Sequence, residues 1–131
     1  ENLFARHHRL ASGVRAAVTA WGLKNCAVDT KWHSDTVTAI RVPEDTDAND
    51  VIKTAHHTSG VSLGAGLGPL NGNVFRIGHL GWLNETMVLQ ALGGVEMAMR
   101  DVGIKFLPGC GVGAAIEKYT DTKAPMVLAA E

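Results

Sequence analysis

Cysteine is scarce in this sequence: two residues in 131, Cys26 and Cys110, far apart and without CxxC spacing. That excludes a disulfide-framed scaffold and makes reduced thiols in a cytosol-like compartment the expected state. No excess of positive charge exists either. Lys and Arg total 12 against 13 Asp and Glu, a formal net charge of −1, which argues against the broad basic footprint of a nucleic-acid binder. No apolar run approaches the roughly 18–20 residues of a membrane span, and no signal-peptide pattern opens the chain. Internal repeats, low-complexity tracts and interdomain linkers are also lacking. What is present is an ordinary globular composition, 46% hydrophobic and 19% charged. A chain this long buries roughly two thirds of its unfolded surface and needs no disulfide or metal staple. A single domain over residues 1–131 is expected.

Hydrophobic spacing supplies the elements. Leu3, Leu10, Val14, Ala17 and Trp21, with Phe4 and Val18 beside them, form one stripe of an amphipathic helix, and Gly22 follows it. Asn25 to Ser34 is mixed in pattern and reads as irregular. Thr36 to Val42 is β-branched and reads as a strand stopped by Pro43. Asp45 to Asp50 supplies caps and first-turn acids for a helix through Val51, Ile52 and Ala55 that ends at Gly60. Val61 to Leu63 reads as a short strand before a glycine-rich loop, Gly64 to Gly72, and Asn73 to Gly78 as another strand. Asn84 is placed to cap a helix carrying Met87, Val88, Ala91, Leu92, Val95 and Met99, with Gly103 at its end. A short helix near Val112 to Tyr119 precedes a tail, residues 120–131, that contains Pro125. This order predicts an α+β fold: a small, mostly antiparallel sheet of about three strands with helices on one face.

Catalytic and ligand-binding motifs are mostly missing. His7 and His8, like His56 and His57, are adjacent, so on a helix they point about 100° apart and do not converge on one ion. No pair of His or Cys has zinc spacing, and the six histidines read as solvated or boundary residues. Gly64-x-Gly66-x-Gly68 and Gly109-x-Gly111-x-x-Ala114 touch on nucleotide fingerprints. Neither sits in a complete βαβ context or carries a P-loop lysine, so both read as turn glycines. No Gly-x-Ser-x-Gly is present, and neither cysteine has a histidine nearby in sequence. Lys24, Lys31, Lys53, Lys105, Lys118 and Lys123 all lie outside apolar runs that would depress a lysine pKa. Arg76 is the open case. On an alternating strand it shares a face with Val74, which by pattern alone reads as a solvent-facing arginine. Yet Gly72, Gly78 and Gly81 keep the neighbouring backbone thin, and a guanidinium fixed on a strand suits bidentate grip of a carboxylate.

At Gly72-Asn-Val-Phe-Arg-Ile-Gly-His-Leu-Gly81 the sequence becomes familiar. With Leu63-Gly-Ala-Gly-Leu-Gly68 before it, Ala20-Trp-Gly-Leu-Lys-Asn-Cys26 earlier and Leu92-Gly-Gly-Val-Glu-Met97 after it, it resembles the small C-terminal domain of class V aminotransferases. These are fold-type-I pyridoxal-phosphate enzymes, and the nearest subgroup is the serine–glyoxylate type, with the alanine–glyoxylate type close behind. The resemblance runs from about Glu1 to Tyr119.

The resemblance implies that Arg76 binds the substrate α-carboxylate, with Leu67 and Gly68 lining the same mouth. It further implies transfer of an amino group from serine or alanine to glyoxylate, using pyridoxal 5′-phosphate, in a homodimer. The cofactor lysine, the acid facing the pyridine nitrogen, the stacking aromatic and the phosphate cup belong to a large domain missing here. The isolated chain is therefore expected to bind no cofactor, to be inactive, and to expose the apolar face that meets that domain. Glu1, already in helix, reads as a cut end. Ala129-Ala-Glu131 does not resemble a peroxisomal address, so a cytoplasmic location is expected. The alternative is a free-standing α+β binding module without enzyme activity.

Overall fold

The computed structural model describes residues 2–121; Glu1 and residues 122–131, including Lys123, Pro125 and most of the expected tail, lie outside the described residues. The elements, in order, are α1 (Asn2–Ala20), β1 (Lys24–Asn25), β2 (Val37–Arg41), α2 (Ala48–Ser59), β3 (Gly64–Ala65), β4 (Val74–Gly78), α3 (Glu85–Asp101) and α4 (Cys110–Asp121). Single 3-10 turns cover Thr30–Trp32 and Gly68–Leu70. No helix among the described residues is long and apolar enough to cross a membrane.

The α+β class holds, with one strand more than about three. The sheet has four strands in the order β1-β2-β4-β3, and every neighbouring pair is antiparallel. The additional strand is β1, at the edge of the stretch, Asn25 to Ser34, that reads as irregular. It is only two residues long, pairs with Ile40 and Arg41, and is continued by the Cys26 N–H donating to the Ala39 carbonyl at 2.8 Å. A pairing this short leaves no period-2 signal in sequence.

The strand expected at Val61–Leu63 lies a few residues later, at Gly64–Ala65. Val61 instead closes the end of α2, its N–H donating to the Ala55 carbonyl, and its side chain fills the space over Gly94 of α3. β-propensity followed the apolar side chains, whereas the ladder is made by the backbone of the glycine-rich stretch. α4 also starts earlier than Val112 and runs past residue 120, so the expected tail begins inside a helix.

Caps explain the boundaries of α2 and α3. Asp47 Oδ1 accepts from the Asn49 N–H at 2.8 Å, and Asn84 Oδ1 accepts from the Met87 N–H at 2.9 Å. Gly60 ends α2 at φ 64°, a conformation that favours glycine.

Strand alternation sorts the sheet into two faces. Thr38 and Ile40 of β2 lie opposite Ile77 and Phe75 of β4 and point inward. Ile40, Phe75 and Ile77 join one core with Leu10, Val14 and Val18 of α1, Val51 of α2, Leu92, Val95 and Met99 of α3, and Ala115 of α4. α1 and α2 pack directly on the sheet, α3 packs on α2, and α4 packs on α1 and α3. Leu3 and Phe4, read as the start of the α1 stripe, are exposed, as is Met87 at the start of α3. The first turns of α1 and α3 overhang the core.

Glu96 ties three helices together. The side chain is buried on α3, and its carboxylate meets the start of α4. Oε2 accepts from the Gly109 N–H at 2.6 Å; Oε1 accepts from the N–H groups of Gly111 at 2.9 Å and Val112 at 3.1 Å. The Trp21 indole, just past α1, donates to the same Oε1 at 3.0 Å. The first-turn N–H groups of α4, orphans in any helix, thus receive an anion at the positive end of the helix dipole. Gly111 has no alternative: a Cβ there would collide with the Trp21 ring. On the other side of α4, Tyr119 packs over Gly13 of α1 and donates to the Leu10 carbonyl at 2.9 Å. Burial, reinforced by the Glu85 charge and opposed by Arg9, pushes the Tyr119 hydroxyl up to about 12.

Glu96→Ala should strand three backbone donors and an indole, lowering stability by more than about 2 kcal/mol in urea denaturation. Gly111→Ala should cost about 1–3 kcal/mol by overpacking against Trp21. Unchanged midpoints would remove this carboxylate from its place as the joint between α1, α3 and α4.

Candidate functional site

The remaining face of the sheet carries Arg76. Its cross-strand neighbours are Ala39 on β2 and Gly64 on β3, so two of the smallest side chains flank the longest cation on the strand. Arg76 is half-buried, and its Nε–H donates to the Ala65 carbonyl at 2.9 Å. Among the described residues this is the side chain's one hydrogen bond. The guanidinium is thus fixed at its inner nitrogen, while its two terminal amino groups have no acceptor among the described residues. Two parallel donors of this kind match a carboxylate.

Leu67 and Gly68 lie further along the connection between β3 and β4, where they begin the 3-10 turn; both are exposed. The groups against Arg76 itself are Gly64, which gives clearance, and Ala65, which gives the carbonyl.

Past Arg76 the chain keeps strand alternation for one more inward step, to His79. Its side chain is fully buried, which corrects the expectation of solvated or boundary histidines, and His7 is buried as well. The signal was legible: positions 75, 77 and 79 share the inward parity. His79 Nδ1 faces the Asp35 carbonyl at 3.0 Å, so that nitrogen carries the proton, and Nε2 accepts from the Thr38 hydroxyl at 2.9 Å. Both ring nitrogens are satisfied in the neutral form. Burial lowers the His79 pKa from 6.5, opposed by the hydrogen bond to Asp35.

The following loop is held by α1. The Gly81 N–H donates to His7 Nε2 at 3.2 Å, and Arg6 donates to the Gly81 carbonyl at 2.9 Å. Trp82 next to it is 91% exposed, with the Arg6 guanidinium 5.8 Å from its ring centroid. Leu80 is exposed too.

Other candidate chemistry is weaker. An open cleft of about 1100 Å³ runs along α1, lined by Arg6, Arg9, Arg15, Asp35, Glu85 and Lys118 among others. Its arginines are engaged: Arg9 pairs with Glu85 at 2.7 Å, Arg15 with Asp35 at 3.4 Å, and Arg6 with Gly81. Cys110 sits at the start of α4, yet burial and the Glu96 charge push its thiol up, away from the nucleophilic thiolate. No group of metal-ligating side chains converges among the described residues. Lys24, Lys31, Lys53, Lys105 and Lys118 are exposed. The described residues therefore do not offer the enclosed lysine that a pyridoxal-phosphate pocket needs.

Comparison with known proteins supplies the context. No protein-family model matches the chain. Over 120 residues it is 56% identical to the serine–glyoxylate aminotransferase of Hyphomicrobium methylovorum, covering 92% of this chain and 30% of the relative. It is 55% identical to the L-aspartate–glyoxylate aminotransferase of Paracoccus denitrificans, covering 95% of this chain and 31% of the relative. The fold matches the crystal structure of pyridoxamine–pyruvate aminotransferase from Mesorhizobium loti with TM-score 0.85 at 33% identity, over 91% of this chain and 31% of that one. The chain belongs with the class V aminotransferases. It spans about 30% of the length of the relatives it matches, as the resemblance to a C-terminal domain implies.

The buried His79, neutral in its hydrogen bonds, should make the fold acid-sensitive. Its depressed folded pKa means that the unfolded state binds a proton first, so stability is full above about pH 6.5 and falls as pH drops below it. Thermal midpoints measured from pH 7.5 to 5 should decline. His79→Gln should be less stable overall but show a shallower decline. Parallel curves for the two proteins would exclude His79 as the source.

Proposed function

We propose that this chain is the C-terminal part of a pyridoxal-phosphate-dependent aminotransferase that uses glyoxylate as amino acceptor, and that Arg76 binds the carboxylate of its substrates. The observation that carries this reading is the Arg76 geometry: Nε is tied to the Ala65 carbonyl, and the terminal amino groups have no protein acceptor among the described residues. The relatives' names support the acceptor, since glyoxylate is common to both the serine and the aspartate enzymes at nearly equal identity. The same near-equality argues that the donor, serine, alanine or aspartate, is chosen mainly by residues outside this chain.

In this reading the cofactor, when bound, acts as the electron sink that labilises the bonds at the substrate Cα. The chain's own contribution is orientation. Glyoxylate and every α-amino acid share a carboxylate next to the reacting carbon. Clamping that carboxylate at two points fixes its plane and, together with a second attachment at the reacting nitrogen, restricts rotation about the bond joining it to Cα, so the reacting C–H is presented in one geometry. Because donor and acceptor carry the same group in the same place, one arginine serves both half-reactions. Cofactor attachment, phosphate binding and the homodimer contacts belong to the rest of the polypeptide.

In an aminotransferase carrying this chain, Arg76→Ala should lower kcat/KM for amino-acid donors by about 2–4 kcal/mol, roughly 30- to 1000-fold, because a carboxylate loses its charged partner in a desolvated site. Unchanged steady-state kinetics would remove Arg76 from the substrate site. Pyridoxal phosphate added to the isolated chain should give no one-to-one spectral titration reversible by amino acid. A stoichiometric titration would show that this chain holds the cofactor itself and would overturn the division of labour proposed here.

A further inference from the structure

Resting on the carboxylate-binding reading of Arg76, we infer that Gly64 and the Ala65 carbonyl form a seat that sets the position of the guanidinium, and that Gly64 is a positioning residue for carboxylate recognition. Gly64 stands directly opposite Arg76 in the β3–β4 ladder. A Cβ built at Gly64 would lie 3.1 Å from Arg76 Nε, 3.2 Å from Arg76 Cβ and 3.3 Å from Nη2. The arginine therefore lies across the glycine, in contact along its stem and one edge of its fork. Ala65, one residue on, supplies the acceptor for Nε at 2.9 Å.

The seat has a chemical consequence. An arginine can meet a carboxylate side-on, through Nε and one terminal nitrogen, or end-on, through the two terminal nitrogens. With Nε already donating to Ala65, the end-on pair is what remains for a bidentate grip. Gly64 keeps the guanidinium low enough on the sheet to hold that bond. Its φ is not positive, so the glycine is not required by backbone conformation. An alanine is compatible with the strand, and its effect should fall on the arginine alone. The neighbouring glycine differs. A Cβ at Gly66 would collide with the Leu70 carbonyl of the 3-10 turn, so Gly66 is held by backbone packing and not by the site.

The test uses a full-length aminotransferase containing this chain, with Gly64→Ala, Gly64→Ser, Gly66→Ala and Arg76→Ala compared. Glycolate, a non-reacting carboxylate analogue of glyoxylate, serves as the binding probe in titration calorimetry, beside KM and kcat for serine. Displacing a positioned group by a fraction of an ångström to 1 Å costs up to about a hundredfold. Gly64→Ala and Gly64→Ser should weaken glycolate binding and raise the serine KM roughly tenfold with a thermal midpoint near that of the parent. Gly66→Ala should lower the midpoint without that selective loss of carboxylate affinity. If Arg76→Ala weakens glycolate while both Gly64 variants bind it like the parent, the seat is wrong and the carboxylate reading stands. If Arg76→Ala itself binds glycolate like the parent, the carboxylate reading fails and takes the seat with it. A loss of stability in the Gly64 variants with apparent kcat falling and KM unchanged would assign Gly64 a structural role only, and would equally overturn the proposal.

Discussion

The carboxylate of Glu96 is the joint on which this small domain is assembled. The sheet is thin, with two of its four strands only two residues long, so the helices must be fixed to one another as well as to the sheet. Hydrophobic contact alone would allow α1, α3 and α4 to slide. A buried anion with four directional donors, two from the α4 backbone, one from Gly109 just before it and one from Trp21, does not allow it. A group buried with that much polarity is tolerated because every donor is matched. Gly109 supplies the positive φ of 81° at the turn, and Gly111 leaves room for the Trp21 ring. The same spacing that touches on a nucleotide fingerprint in sequence is, in the folded chain, a turn already filled by the protein's own side chain.

Helix caps and periodic cores were the legible part of the fold. Asp47, Gly60 and Asn84 cap where the local sequence places them, and the buried stripes of α1 and α3 follow the spacing of their apolar residues. The errors share a cause. β1 and β3 are pairings of backbone, not of side chains, and two-residue strands leave no pattern to read. Leu3, Phe4 and Met87 continue a helical stripe beyond the point where anything faces it. Periodicity specifies a face and not the extent of what covers it.

The site was legible in a different way. Strand parity put Arg76 on the face away from Phe75 and Ile77, as found, but could not say whether that face was wet or held. The resemblance to aminotransferases supplied a role for the arginine, and the structure supplies the partner that no motif could name, the Ala65 carbonyl. His79 was missed because a histidine was read by its ordinary solvation, when its parity with Phe75 and Ile77 pointed inward. Glu96 was missed because nothing local marks it: its partners are 13 to 75 residues away in sequence.

The antiparallel register between β3 and β4 makes the chain length of their connection matter more than its composition. Gly64 faces Arg76 because the segment between the strands closes with one particular number of residues. A slip of one position would bring Leu63 or Ala65 beneath the guanidinium and turn the strand's faces over. Substitutions at exposed positions such as Leu67 can therefore be graded in effect, whereas a one-residue insertion or deletion between β3 and β4 is all-or-none. In descendants of this sequence, indels in that short connection would reset the arginine's seat in a single step.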